Sequence, residues 1–239
     1  MATMQQISPS LYQISLGSVN VFVIKDKGLT LIDTGNKGSM EPIFSALRKG
    51  GEDPNAIKQI ILTHVHPDHA GSVAAIKSNL GVPLLAHRDE VSLIEKGVAG
   101  RASMHLSPGV INWLIFNLFI KGAPNTIDPV GVDQPLSHND VIPVAGGLQV
   151  LHTPGHSAGH IALLLKQEGV LIAGDICANV VGLDLSTVNE DSALSIQSIL
   201  EVSELSFDKA VFGHGNVLKE GANQKMKAKF SSLRKPTGQ

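Results

Sequence analysis

The sequence predicts an α/β fold in four layers, with two mixed β-sheets packed between helices. Three observations carry that expectation. Short β-branched apolar runs recur along the chain with helical stretches between them. The chain falls into two halves, each a set of strands followed by helices. Its 239 residues are 43% hydrophobic with 24 Gly and 12 Pro, a turn-rich composition long enough to bury a sizeable core.

Leu11 to Leu16 roughly alternates apolar and polar residues, as a half-buried strand does. Val21–Ile24 and Leu29–Ile32 follow as strands, with Asp26-Lys27-Gly28 as the turn between them. A helix runs from about Ser39 to Lys49, with Ile43, Phe44 and Leu47 on one face and Gly50-Gly51 as its stop. Ile57 to Thr63 is the next strand, Ser72 to Leu80 a short helix, Pro83 to Ala86 a strand and Asp89 to Lys96 a helix. From about residue 97 to 128 the pattern breaks. Val110 to Ile120 is apolar nearly all round and reads as a helix with more than one covered face, serving as core, as a lid over a site or as a homodimer contact. We therefore expect one domain, residues 1–239, with a helical insertion at about 97–128. Val141–Val144, Leu148–His152, His160–Leu165 and Val170–Ala173 are strand candidates, with hairpin turns at Gly146-Gly147 and Glu168-Gly169. Asp191 to Leu205 reads as a helix, Ala210 to Phe212 as a strand and Gln224 to Leu233 as a Lys-rich helix.

The formal net charge of −2 gives no global field for nucleic acid, so none is expected as a partner. A single cysteine, Cys177, excludes a disulfide framework within the chain and reads as a small packed residue. Met1 to Ser10 shows no basic segment followed by an apolar core, so a cytoplasmic location is the expectation. The Val110–Ile120 run is too short to span a bilayer.

Chemistry concentrates at His64-Val65-His66-Pro67-Asp68-His69, at the end of the 57–63 strand. Imidazole and carboxylate suit zinc and other first-row metals. In an extended segment His64, His66 and Asp68 face one way and His69 another, so one loop can serve two centres. A lone His at a strand end is usually only a hydrogen-bonding side chain, and Asp68 could cap the next helix. Four such residues in six, beside a rigid apolar strand, favour a metal instead. Thr153-Pro154-Gly155-His156, Ala173-Gly174-Asp175 and Phe212-Gly213-His214 each place a further ligand type at a strand end. His152 and His160 flank His156, either as orienting partners or as exposed loop residues. His87, His105 and His138 match no ligand position.

These motifs, in this order, resemble the metallo-β-lactamase superfamily. Its H-x-H-x-D-H signature corresponds to His64, His66, Asp68 and His69, with further ligand positions at His156, Asp175 and His214. Asp33, in Leu31-Ile32-Asp33-Thr34-Gly35, matches an early aspartate that supports the metals. The resemblance spans about residues 10 to 215 and implies an αβ/βα sandwich with a dinuclear site. By it, His64, His66 and His156 hold one metal, Asp68, His69 and His214 the other, and Asp175 bridges them. Zinc is the expected pair, with iron or manganese as alternatives. Such a pair lowers the pKa of a shared water to about 7, giving a bridging hydroxide, and Asp68 helps move a proton. The expected substrate is a small ester, lactone or thioester, with Trp113 and Phe116 of the insertion as substrate contacts. β-Lactam hydrolysis, nucleic-acid processing and iron-dependent redox chemistry are the alternatives within the family. Asp175 and the absence of a signal argue against a dedicated β-lactamase. The stretch after His214 is short for a glutathione-binding helical domain, and Ala178 stands where many lactonases carry a tyrosine.

Overall fold

The computed structural model describes residues 2–100 and 104–233; residues 101–103 of the insertion lie outside that description. The chain opens with β1 (Met4–Gln6), β2 (Leu11–Ser15), β3 (Asn20–Lys25) and β4 (Leu29–Ile32). Next come α1 (Met40–Lys49), a 3-10 turn at Pro54–Ala56, and β5 (Ile57–Ile61). The short helices α2 (Pro67–Ala70) and α3 (Val73–Leu80) lead to β6 (Leu84–His87) and α4 (Arg88–Lys96). The insertion holds β7 (His105–Leu106), α5 (Val110–Ile115) and a π-helical turn at Phe116–Ile120. β8 (Gln134–Leu136), β9 (Val141–Ile142), β10 (Leu148–His152), β11 (Ile161–Leu165) and β12 (Val170–Ile172) follow. The small strands β13 (Ala178–Asn179), β14 (Leu183–Asp184) and β15 (Val188–Asn189) precede α6 (Ser192–Ser203), β16 (Lys209–Val211) and α7 (Ala222–Ser231).

Two mixed sheets result. One has the order β1-β2-β3-β4-β5-β6-β8, antiparallel through β4 and parallel beyond it. The other has the order β16-β12-β11-β10-β9, with β12 and β16 its parallel pair. Strand alternation sends side chains to both faces and builds three apolar layers. Leu31, Ile60 and Leu84 meet Leu47 of α1, Ile76 of α3 and Ile94 of α4. Ile32, Ile61 and Leu85 meet Val150, Leu163 and Ile172 between the sheets. Leu164, Leu171 and Ala210 meet Ile199 of α6 and Met226 and Phe230 of α7. The order helix, sheet, sheet, helix is the expected four-layer sandwich.

Three details depart from the sequence reading. A single-turn helix, α2, starts within the histidine cluster, because Pro67 suits the first helical position and His66 stays extended before it. β8 forms from Gln-Pro-Leu as an edge strand, the one place in a sheet where proline loses little. The apolar segment 110–120 was expected to have more than one covered face, and it does not. Val110, Trp113, Leu118 and Phe119 are 74%, 56%, 69% and 71% exposed. The segment lies outside both sheet cores. Buried Asn112 anchors it, donating to Pro108 O and accepting from the Thr187 hydroxyl. The core-packing alternative is therefore set aside.

Candidate metal centre

β5 delivers His64 one turn of chain past its end, and α2 carries Asp68 and His69. His156 sits in the β10–β11 connection, Asp175 follows β12 and His214 follows β16. All these positions lie beyond strand ends on one edge of the sandwich, and their side chains converge. His156 Nε2 is 3.2 Å from His64 Nε2 and 2.9 Å from His66 Nδ1. His214 Nε2 is 3.4 Å from His69 Nε2 and 3.1 Å from Asp68 Oδ2. Asp175 lies between the two groups. Its Oδ1 is 3.5 Å from His69 Nε2, and its Oδ2 is 3.7 Å from His156 Nε2 and 3.2 Å from His214 Nε2. The seven residues thus form a three-histidine half and a carboxylate-rich half joined at Asp175. Gly213 passes so close that a Cβ there would fall on Asp175 Oδ1 and the His69 ring. Gly174 turns the chain into Asp175 with φ +55°.

The outer nitrogens of four rings fix which nitrogen faces inward. His69 Nδ1–H donates to Asp33 Oδ2 at 2.9 Å. His156 Nδ1–H donates to Val188 O at 2.9 Å, and His214 Nδ1–H donates to Ser18 O at 2.6 Å. Thr63 Oγ1 donates to Asp33 Oδ2 at 2.8 Å and so accepts from His64 Nδ1–H at 2.9 Å. Each of these rings therefore turns Nε2, rather than Nδ1, towards the others, and Nε2 is the nitrogen a metal would take. Zinc–nitrogen bonds of about 2.0–2.1 Å in a tetrahedral arrangement put ligand nitrogens roughly 3.3 Å apart, close to the spacings here. Asp175 Oδ1 is buried and accepts no hydrogen bond among the described residues. A buried anionic oxygen beside several inward-facing imidazole nitrogens fits a cation.

The electrostatics divide the same way. Burial, with the neighbouring histidines, pushes His156 down to about 3 and His64 well below its ordinary range. In the other half burial opposes charge on His69, but Asp175, Asp68 and Asp33 outweigh it and raise the group to about 10. His214 is raised well above its ordinary value against burial, chiefly by Asp175. Burial would raise Asp68 and Asp175, yet both are held well below the carboxylate range by His69 and His214. One half is neutral and lone-pair-rich; the other gathers positive charge.

Asp33, buried with φ +59°, also accepts Thr63 N–H at 2.8 Å and so braces the signature loop. His160 is buried and orients the site. Its Nε2 accepts Asp175 N–H at 2.9 Å, and its Nδ1–H points at Thr153 Oγ1 at 2.8 Å. His152 stacks on His87 at 4.1 Å, with the planes 13° apart. With Asp89 these two make a further group of metal-ligand types, but near-parallel rings send their lone pairs along parallel planes rather than onto one ion. Cys177 is buried, and burial beside Asp175 pushes its thiol up, as for a packed residue. Trp113 lines an apolar groove of about 420 Å³ with Leu106, Pro108 and Val110. Phe116 is half-buried and does not line that groove. The insertion also reaches the centre, for Gly100 lies against the His66 ring and β7 pairs with β15, whose Val188 holds His156.

Sequence reasoning missed Glu90. Its buried carboxylate accepts from Val65 N–H, Ser157 Oγ–H and Gly159 N–H. The available signal was its i, i+4 spacing from Ile94, which puts an acid on the buried stripe of α4.

A four-layer α/β sandwich with His and Asp side chains of metal-ligand type gathered at one edge is the pattern of a metallo-hydrolase. The family model of the metallo-beta-lactamase superfamily matches residues 14–214, and the chain belongs to that superfamily. It is 25% identical over 229 residues to the probable metallo-hydrolase YflN of Bacillus subtilis, covering 88% of this chain and 85% of that one. It is 30% identical over 204 residues to the probable metallo-hydrolase MJ0888 of Methanocaldococcus jannaschii, covering 84% and 89%. Among relatives named for an activity are thioesterase pkgB of Emericella nidulans, 28% identical over 90% of this chain, and an N-acyl homoserine lactonase of a Bacillus species, 27% identical over 72%. The matches span only 48% and 61% of those two proteins' own lengths. BJP-1, a subclass B3 metallo-beta-lactamase of Bradyrhizobium japonicum, superposes with a TM-score of 0.70 at 22% identity, over 96% of this chain and 90% of that one. That likeness speaks for the fold alone. Among the described residues, no helix is long and apolar enough to cross a membrane.

Proposed function

We propose that this chain is a dinuclear metallo-hydrolase, with zinc the first expectation and iron or manganese the alternatives, acting on a small ester, lactone or thioester. The observation that carries the reading is the fixed ring orientation of His64, His69, His156 and His214, each with Nε2 turned to a common centre beside Asp175. His64, His66 and His156 would hold one ion, Asp68, His69 and His214 the other, and Asp175 both. Two divalent ions there supply Lewis acidity to a substrate carbonyl and an acidic water at neutral pH.

The chain contributes the rest. Asp68 is the ligand whose side chain is 36% exposed, and it stays ionised between His69 and His214, so it offers a proton-accepting oxygen on the open side. Asp33 and His160 orient ligands without facing that side. The insertion walls the centre through Gly100, and its apolar groove at Trp113 suits the carbon chain of a neutral acyl substrate. The thioesterase and lactonase names among the relatives support this substrate class. The exposure of Val110, Leu118 and Phe119 favours a second role for the insertion, a homodimer contact.

The test is a panel of lactones, esters, thioesters, β-lactams and phosphodiesters, run on protein whose bound metal has been quantified. Hydrolysis of carbonyl esters or thioesters is expected, with Asp175→Asn and His66→Ala lowering metal content and rate together. Full activity in either variant at reduced metal content would sink the proposed site. Turnover of phosphodiesters alone would sink the substrate class.

A further inference from the structure

We propose that Glu90 is the positioning residue for the three-histidine half of the centre, fixing the mutual placement of the loops that carry His64, His66 and His156. This rests on the metal-binding reading above. Glu90 stands in the first turn of α4 and is buried. Its Oε2 accepts Val65 N–H at 3.2 Å, and Val65 is the residue between His64 and His66. Its Oε1 accepts Gly159 N–H at 2.8 Å and the Ser157 hydroxyl at 3.2 Å, and Ser157 directly follows His156. One carboxylate therefore joins two loops some ninety residues apart in sequence (|i−j| = 92 for His64 and His156), both of which end in nitrogens about 3 Å apart.

The surroundings are shaped to this carboxylate. A Cβ on Gly159 would fall 2.6 Å from Glu90 Cγ and 2.7 Å from its Oε1, so a side chain there would displace the clamp. Gly159 does not have a positive φ, so space, rather than backbone conformation, is what demands glycine. An apolar residue in its place would leave Val65 N–H, Gly159 N–H and the Ser157 hydroxyl without this acceptor in a buried setting. What the acid provides that a leucine cannot is a rigid, two-sided acceptor between ligand-bearing backbones. The other half of the centre has different supports. His69 is held by Asp33 and His214 by Ser18 O, and Glu90 bonds neither.

This predicts a selective effect. The purified full chain, stripped and retitrated with Zn²⁺ or Co²⁺ against a chromophoric chelator, should show two sites. In Glu90→Gln one site should weaken by about 10–100-fold, the range for residues that orient ligands, while the other stays within about 3-fold. His156→Ala identifies the affected site, because its remaining affinity should equal that of the site Glu90→Gln leaves intact. Ser157→Ala removes a single hydrogen bond and should weaken the same site by a smaller factor, with the metal-free melting temperature unchanged. That milder variant stands in if Glu90→Gln does not fold. Equal affinities in Glu90→Gln and wild type, or an equal fall at both sites, would overturn the proposal. In the milder variant, an unchanged three-histidine site would overturn it too. Failure of the wild type to bind any metal would instead overturn the metal-centre reading itself.

Discussion

Replacing Asp33 with asparagine keeps the shape of the residue and inverts the chemistry of one of its atoms. Oδ1 accepts Thr63 N–H, which an amide oxygen can still do. Oδ2 accepts from both Thr63 Oγ1–H and His69 Nδ1–H, which an amide nitrogen cannot do. The amide has two hydrogens for those two partners, so the network can close again only by reversing. His69 must then accept at Nδ1 and carry its proton on Nε2. Thr63 Oγ1 must accept from the amide and donate to His64 Nδ1, which moves the His64 proton to Nε2 as well. Both protons now sit on nitrogens that face the centre. Asparagine tolerates the left-handed conformation at φ +59°, so the backbone need not move.

Because the reversed network is satisfied, the metal-free Asp33→Asn chain should lose only on the order of 1–2 kcal/mol. Asp33→Ala strands Thr63 N–H, Thr63 Oγ1–H and His69 Nδ1–H in a buried site and should cost roughly 3–6 kcal/mol. Metal binding discriminates further. Wrong tautomers at two ligands should cut affinity by about 10–100-fold, which is roughly 1.4–2.8 kcal/mol. Chelator competition measures the affinity, and chemical denaturation of the metal-free protein measures the stability. An Asp33→Asn protein that holds metal as tightly as wild type would refute the tautomer argument. So would a loss of metal that merely tracks unfolding.

Three further outcomes follow from the same geometry. Trp113→Ala with Phe116→Ala should raise KM for long-chain substrates several-fold and leave metal content unchanged, with stability shifted by less than about 1 kcal/mol because Trp113 is mostly exposed; gel filtration of the same variant reports on the homodimer contact, and a large drop in melting temperature would return the segment to the core. Leu163→Ala, buried between the two sheets, should cost about 2–5 kcal/mol in denaturant unfolding, and a value under 1 would mean the inter-sheet layer is loosely packed. Burial, then His152, holds His87 down at about 4, below its unfolded value near 6.5. The unfolded chain therefore binds a proton at His87 that the folded one refuses, so stability is intact above about pH 6.5 and falls as pH drops towards 4. His87→Asn should flatten the stability profile in that window, and an unchanged slope would show that His87 does not contribute.

The strands and the cluster of ligand-type side chains were legible because both are written locally. A run such as Ile161–Leu165 is apolar because it is covered on both faces, and covered strands carry that record in every residue. The proposed ligands stand out because His64 to His69 crowd four donors into six positions, and because His156, Asp175 and His214 each follow an apolar strand. β8 was not legible, since Gln-Pro-Leu has no periodicity and is a strand only because β6 offers it an edge. The insertion was half legible. Its apolar run announced a helix, but periodicity reports which side chains are alike, and says nothing of what lies opposite them. The change to a π-helical turn at Phe116 also shifts the faces that a 3.6-residue period would assign.

Glu90 marks the boundary of what a sequence discloses about such a centre. A ligand is recognised by its type and its neighbours in the chain, and the seven ligand-type residues met both conditions. An orienting residue is defined by what it joins, and Glu90 joins Val65 to Ser157 and Gly159 across the fold from a helix that carries no ligand. Its only local trace is an acid on a buried stripe, a violation of patterning that burial normally forbids. The same logic covers His160, which reads as one more histidine near His156 until its Nε2 is seen to receive the Asp175 amide proton. Where a chain buries an ionisable side chain against the pattern of its own helix, the compensating partners lie elsewhere in the sequence, and here they lie on the loops that carry the proposed ligands.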